Sequence, residues 1–128
     1  MKPELMWLLW AVALTVVQML IAVTGATLQV GLPALAGNRE GMPPLTGWAG
    51  RAERAHYNML ESLVLFAALV LILVVTNKSN SSTLMGAQLF VWARLAYAVI
   101  YLAGIPWLRT LVWLASMIGL ALIFCQLV

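Results

Sequence analysis

Long apolar stretches separated by short polar interruptions set the pattern of this chain. Predominantly apolar runs occupy Leu5–Val23, Met59–Val75, Leu84–Ala103 and Leu111–Val128. Each is close to the roughly 20 residues an α-helix needs to cross a hydrocarbon layer about 30 Å thick. They predict four membrane-spanning helices, at about residues 5–28, 53–76, 84–103 and 107–127, in one domain covering residues 1–128. The connection "GLPALAGNREGMPPLTGWAG", Gly31 to Gly50, is rich in glycine and proline and is predicted to be an irregular loop. "NKSNSS", Asn77 to Ser82, and "GIP", Gly104 to Pro106, are short turns, so the last three spans should be consecutive antiparallel neighbours. No repeat, strand pattern or low-complexity segment interrupts this layout.

Composition narrows the class. Of 128 residues, 64% are hydrophobic and only 9% charged, with a mean hydropathy of +1.00. A water-soluble domain could not carry these values without exposing large apolar patches. The fold class is therefore all-α integral membrane, a four-transmembrane-helix bundle surrounded by lipid. The first run is longer than the apolar core of a signal peptide and is expected to remain as a span. A net charge of +3 is too small to suggest a nucleic-acid partner, but its placement is informative. Arg39, Arg51, Arg54 and Arg109 lie in or beside the first loop and the last turn, against Lys2 and Lys78 on the other side. The positive-inside rule then puts both termini away from the cytoplasm.

The polar residues inside the spans carry the candidate chemistry. Arg54, Asn58 and Glu61 are spaced i, i+4 and i+7, which places them within roughly 60° of one another on a helix, with Arg51 on the adjoining edge. His56 falls about 160° from the centre of that stripe. In "RLAYAVIY", Arg94, Tyr97 and Tyr101 share a face at i, i+3 and i+7, and Arg109 follows just beyond Pro106. An ionised side chain near the bilayer centre costs on the order of 2.5–3.5 kcal/mol, so Glu61 and Arg94 should face protein or a polar cavity. Two arrangements satisfy that condition. Glu61 could form a buried pair with an arginine and fix the bundle's register, or the two stripes could converge on an anionic polar ligand. The second uses more of the chain's few charges.

Other chemistry finds no material. One histidine, one cysteine and no aspartate supply neither a metal cluster nor a Ser-His-Asp triad. Cys125 has no partner for a disulfide and reads as a small apolar residue. The tryptophans fall mostly near span ends, where aromatic belts form, with Trp92 and Trp113 deeper.

Two segments together, "GWAGRAERAHYNMLESLVLF" and "RLAYAVIYLAGIPWLRTLVW", resemble the MAPEG superfamily, the membrane-associated proteins in eicosanoid and glutathione metabolism. The likeness is to bacterial members related to microsomal glutathione transferase. Arg54, Ala55, His56, Asn58 and Glu61 match the helix-two signature, and Arg94, Tyr97 and Tyr101 the helix-three series. The resemblance implies a homotrimer in the bacterial inner membrane, with glutathione as co-substrate bound between subunits near the cytoplasmic face. Arg51 and Arg54 would hold its carboxylates, and Asn58 and Glu61 its amide and amino groups. Arg94, Tyr97 and Tyr101 would come from the neighbouring subunit, and Arg109 would be the catalytic arginine against the thiol. The implied activity is a glutathione-dependent transferase or peroxidase acting on a lipophilic small molecule. The alternative is a non-catalytic member that binds lipid or presents it to a partner. Two positions differ from the pattern: Gly31 follows Gln29 and Val30 where an arginine is expected, and Tyr57 stands where the signature is often basic.

Overall fold

A computed structural model describes the whole chain, Met1–Val128. It consists of α1 (Pro3–Val30), a short α2 (Leu32–Ala36), α3 (Gly47–Val75), α4 (Ser81–Ala103) and α5 (Pro106–Leu127). The four long helices are each long and apolar enough to cross a membrane. The chain is thus a multi-pass membrane bundle. α3 and α4 pack on each other and on both remaining spans, while α1 and α5 occupy opposite corners and do not touch.

Local sequence explains the helix ends. Pro3 and Pro106 sit in the first turns of α1 and α5, where a missing N–H costs nothing. Asn80 caps α4 reciprocally. Its side chain accepts from Thr83 N at 2.9 Å, and its own N–H donates to Thr83 Oγ1 at 2.8 Å. Gly104 closes α4 in the left-handed conformation, φ +80°, and passes the chain directly into α5. Within the spans, the hydroxyls of Thr15, Thr24 and Thr27 donate to carbonyls one turn back, which satisfies them away from water.

Two features of the first connection differ from expectation. Leu32–Ala36 forms a helical turn and a half, and α3 starts at Gly47 instead of near residue 53. The cause lies in the end of α1. The amide of Gln29 grips both peptide groups of Thr46, donating from Nε2 to the carbonyl at 2.6 Å and accepting from the N–H at 2.9 Å. That clamp fixes the chain just ahead of α3, and the small Gly25 then lets Trp48 and Ala49 pack on α1. A glycine-rich "GWAG" reads as loop by propensity, but the tertiary contact overrides it.

The core is built from Met59, Phe66, Val70 and Leu73 of α3 against Phe90 and Val91 of α4 and Ile123 of α5. Phe66 and Phe90 stack with centroids 4.2 Å apart. α4 and α5 approach most closely where Gly86 faces Gly119. A Cβ on either would lie 2.7 Å from the other's carbonyl oxygen. Such backbone approach is how membrane helices gain packing without a hydrophobic driving force.

The end of the bundle holding both termini is tied by polar groups. Glu4 is fully buried, and its Oε2 accepts from Ser79 Oγ and Thr83 Oγ1, each at 2.6 Å. Lys78 Nζ donates to the Leu127 carbonyl at 3.0 Å, and Asn80 Nδ2 donates to Gln126 Oε1 at 3.0 Å. The start of α1, the α3–α4 turn and the end of α5 are thereby joined. The opposite end, which carries the first loop, holds the arginines.

Two outcomes test this packing. Gly119→Val should destabilise the detergent-solubilised protein by about 2 kcal/mol or more, since the backbone of α4 must move to admit the side chain; a shift in thermal unfolding reads it. Glu4→Ala should cost about 1–2 kcal/mol by removing the acceptor that ties Ser79 and Thr83 to α1, with Glu4→Gln milder; unfolding in graded denaturing detergent distinguishes the two variants.

Candidate functional site

Phase along α3 and α4 predicts two polar stripes, and packing of the same chain brings them face to face. Arg94 Nη2 donates to Asn58 Oδ1 at 2.7 Å. Nearer the loop end, Arg54 Nε donates to the Tyr101 hydroxyl at 3.1 Å. Tyr97 and Tyr101, one turn apart on α4, meet edge to face with centroids 5.5 Å apart. The Arg94 guanidinium lies 4.2 Å over the Tyr97 ring, and that of Arg109 4.4 Å over the Tyr101 ring. Tyr101 therefore receives a hydrogen bond at its hydroxyl from α3 and a guanidinium on its face from α5. Cation–π contact of this kind is worth about 0.5–2 kcal/mol, more where water is excluded.

Asn58, Tyr97 and Arg109 line a cavity of about 180 Å³, completed by Thr110 and Trp113 of α5. Arg94 does not line it. At 1% exposed, it lies among the helices, and its Nε and Nη1 have no hydrogen-bond partner. Its action on the cavity passes through Asn58. By occupying the amide oxygen, it fixes which way that side chain points and leaves the NH₂ group free to donate.

The remaining expected residues take different places. Arg51 donates through Nε to the Leu102 carbonyl at 3.0 Å and so caps the C-terminal end of α4, where orphan carbonyls and the helix dipole favour a cation. Glu61 is exposed on α3 and does not form the buried arginine pair that opposite charges invited; Arg94 bonds Asn58 instead. Within one chain, Arg94 and Tyr101 contact Asn58 and Arg54 of α3, and Tyr97 lies beneath the Arg94 guanidinium. His56 faces the other side of α3, as its phase required, and lines a separate cavity.

Thr110 and Trp113 were not anticipated. The signal was present, since Trp113 lies one turn beyond Arg109 and shares its face, but its depth in the span suggested only packing against helices or lipid. The hydrogen bonds of Arg51, Arg54 and Arg94 all end on neutral oxygens. Arg109 lines the cavity and no carboxylate does, an arrangement suited to an anionic ligand.

Comparison with known proteins agrees with this layout of spans. The family model described as MAPEG family matches residues 5–128. No curated protein and no solved structure matches the chain. With nearly every residue from the first turn of α1 to the end of α5 inside that match, the chain belongs to the MAPEG family, whose members are membrane proteins of glutathione and eicosanoid metabolism.

Proposed function

We propose that the protein is a glutathione-dependent transferase or peroxidase for lipophilic electrophiles, working as a homotrimer with its arginine-rich end toward the cytoplasm. The observation that carries this reading is Arg109 beside Asn58 and Tyr97 on a small cavity that no carboxylate lines. Glutathione brings two carboxylates and a thiol, the complement of such a site. Arg54 and the free terminal nitrogens of Arg51 stand toward the loop end for the carboxylates, and Asn58 donates to the peptide backbone of the ligand.

Arg109 acts on sulfur. A thiol of pKa about 8.5 is mostly protonated at neutral pH, and an adjacent guanidinium favours the thiolate, which is the nucleophile. A lowering of about two pKa units corresponds to roughly 2.7 kcal/mol of differential stabilisation. In conjugation the thiolate forms a carbon–sulfur bond while the electrophile's leaving group, or an opening ring, takes the electron pair. In peroxide reduction it attacks the O–O bond, and a second glutathione completes the disulfide. Trp113 and the apolar flank of α5 form the side from which a substrate dissolved in the bilayer would approach. Arg94 serves as a positioning residue beneath Asn58.

Glutathione binding to the detergent-purified protein, followed by thiolate absorbance in the ultraviolet, is the decisive measurement. The wild type should develop the band, and Arg109→Ala should lose it. Folded protein that binds no glutathione at millimolar ligand would overturn the proposal in favour of a lipid-binding scaffold. Asn58→Ala should weaken glutathione binding about tenfold, the equivalent of one hydrogen bond near 1.4 kcal/mol, while the thiolate band of the bound fraction persists.

A further inference from the structure

The face of α3 turned away from the arginine stripe carries a second, larger cavity, of about 370 Å³. Its floor is apolar and follows α1 from Met19 past Val23 to Ala26, about 10 Å along the helix, with Leu35 of α2 as a roof. Arg39, Glu53 and His56 line the same cavity, and Tyr57 stands beside them.

These polar groups are spare. Arg39 is held in the left-handed conformation, φ +62°, with Nε donating to the Leu35 carbonyl at 2.9 Å. That bond fastens the side chain to the end of α2 and leaves its two terminal nitrogens free. The half-buried Glu53 carboxylate engages none of the chain's donors, although Arg39 lines the same cavity. His56 follows Glu53 by one turn, and its Nδ1 is without a partner. None of these residues takes part in the site around Arg109.

A groove with an apolar floor, one tethered cation and one unpaired anion complements a molecule of the same plan, an acyl chain bearing a zwitterionic head. The choice of head follows from the acceptors. A quaternary ammonium is recognised by a cage of aromatic faces, which Tyr57 and His56 do not make. A primary ammonium instead needs a hydrogen-bond acceptor, which the unpaired Glu53 carboxylate offers. We propose that this groove binds a bilayer phospholipid with a primary-ammonium headgroup. Its phosphate lies on Arg39, its ammonium on Glu53, and an acyl chain runs along α1.

The test uses the full-length protein, stripped of lipid and returned to micelles or nanodiscs containing dioleoyl phosphatidylethanolamine, phosphatidylcholine or phosphatidylglycerol, with retained lipid counted by native mass spectrometry. Phosphatidylethanolamine should be held about tenfold more tightly than either other lipid, the worth of one charge-assisted hydrogen bond. Glu53→Gln should reduce its retention to that of phosphatidylcholine, and Arg39→Gln should weaken both. Glutathione binding should be unchanged in the two variants, which separates this site from the one around Arg109. Equal retention of the three lipids by the wild type overturns the proposal even if a variant fails to fold. So does a preference for phosphatidylglycerol, a preference that survives Glu53→Gln, or a groove that retains no lipid because a second copy of the chain covers it.

Discussion

One hydrogen bond, from the buried guanidinium of Arg94 to the amide oxygen of Asn58, sets the relation between the two central helices. A charged side chain is costly inside a membrane bundle, so the helices must meet where its donors find an acceptor and its charge finds a π face. Asn58 and Tyr97 supply these. Sliding α3 against α4 by one turn would separate the pair and leave the guanidinium among apolar side chains, with no water to replace the lost contact. The register that keeps Arg94 bonded is also the one that brings Arg54 to Tyr101 and sets both under Arg109. A structural requirement and the layout of the site thus have the same solution.

The two ends of the bundle solve their polar groups in opposite ways. At the terminal end, Glu4 is enclosed by Ser79 and Thr83, while Lys78 and Asn80 reach the end of α5. These contacts close on themselves, and what they hold together is three chain segments. At the loop end, arginines contact only neutral groups within the chain and leave donors over. The terminal end is thus cross-linked by polar contacts, while the loop end keeps guanidinium donors to spare.

Much of this was legible from residue spacing. Runs near 20 residues gave the four spans, because the bilayer imposes a length that composition cannot disguise. The i, i+4, i+7 pattern correctly grouped Arg54 and Asn58 and set His56 on the other side. What phase could not give was depth and partner. Arg94 and Arg109 look alike in sequence, yet one is sealed between helices and the other borders the cavity. Glu4 gave no signal in the sequence, since its two donors lie far along the chain in the α3–α4 turn and α4. The early start of α3 depends on Gln29 gripping Thr46, a contact between segments whose local sequence predicts loop.

The turn between α4 and α5 has a further significance. Arg51 bonds the Leu102 carbonyl just before the left-handed Gly104, and a Cβ on that glycine would lie 3.6 Å from the Arg51 Nε. Five residues after Gly104 comes Arg109. The direction in which α5 leaves the turn, and with it the aim of the guanidinium at the cavity, is therefore set by a side chain on α3 acting as a strut. The shortest connection between two spans thus transmits the position of α3 to the cavity-lining end of α5.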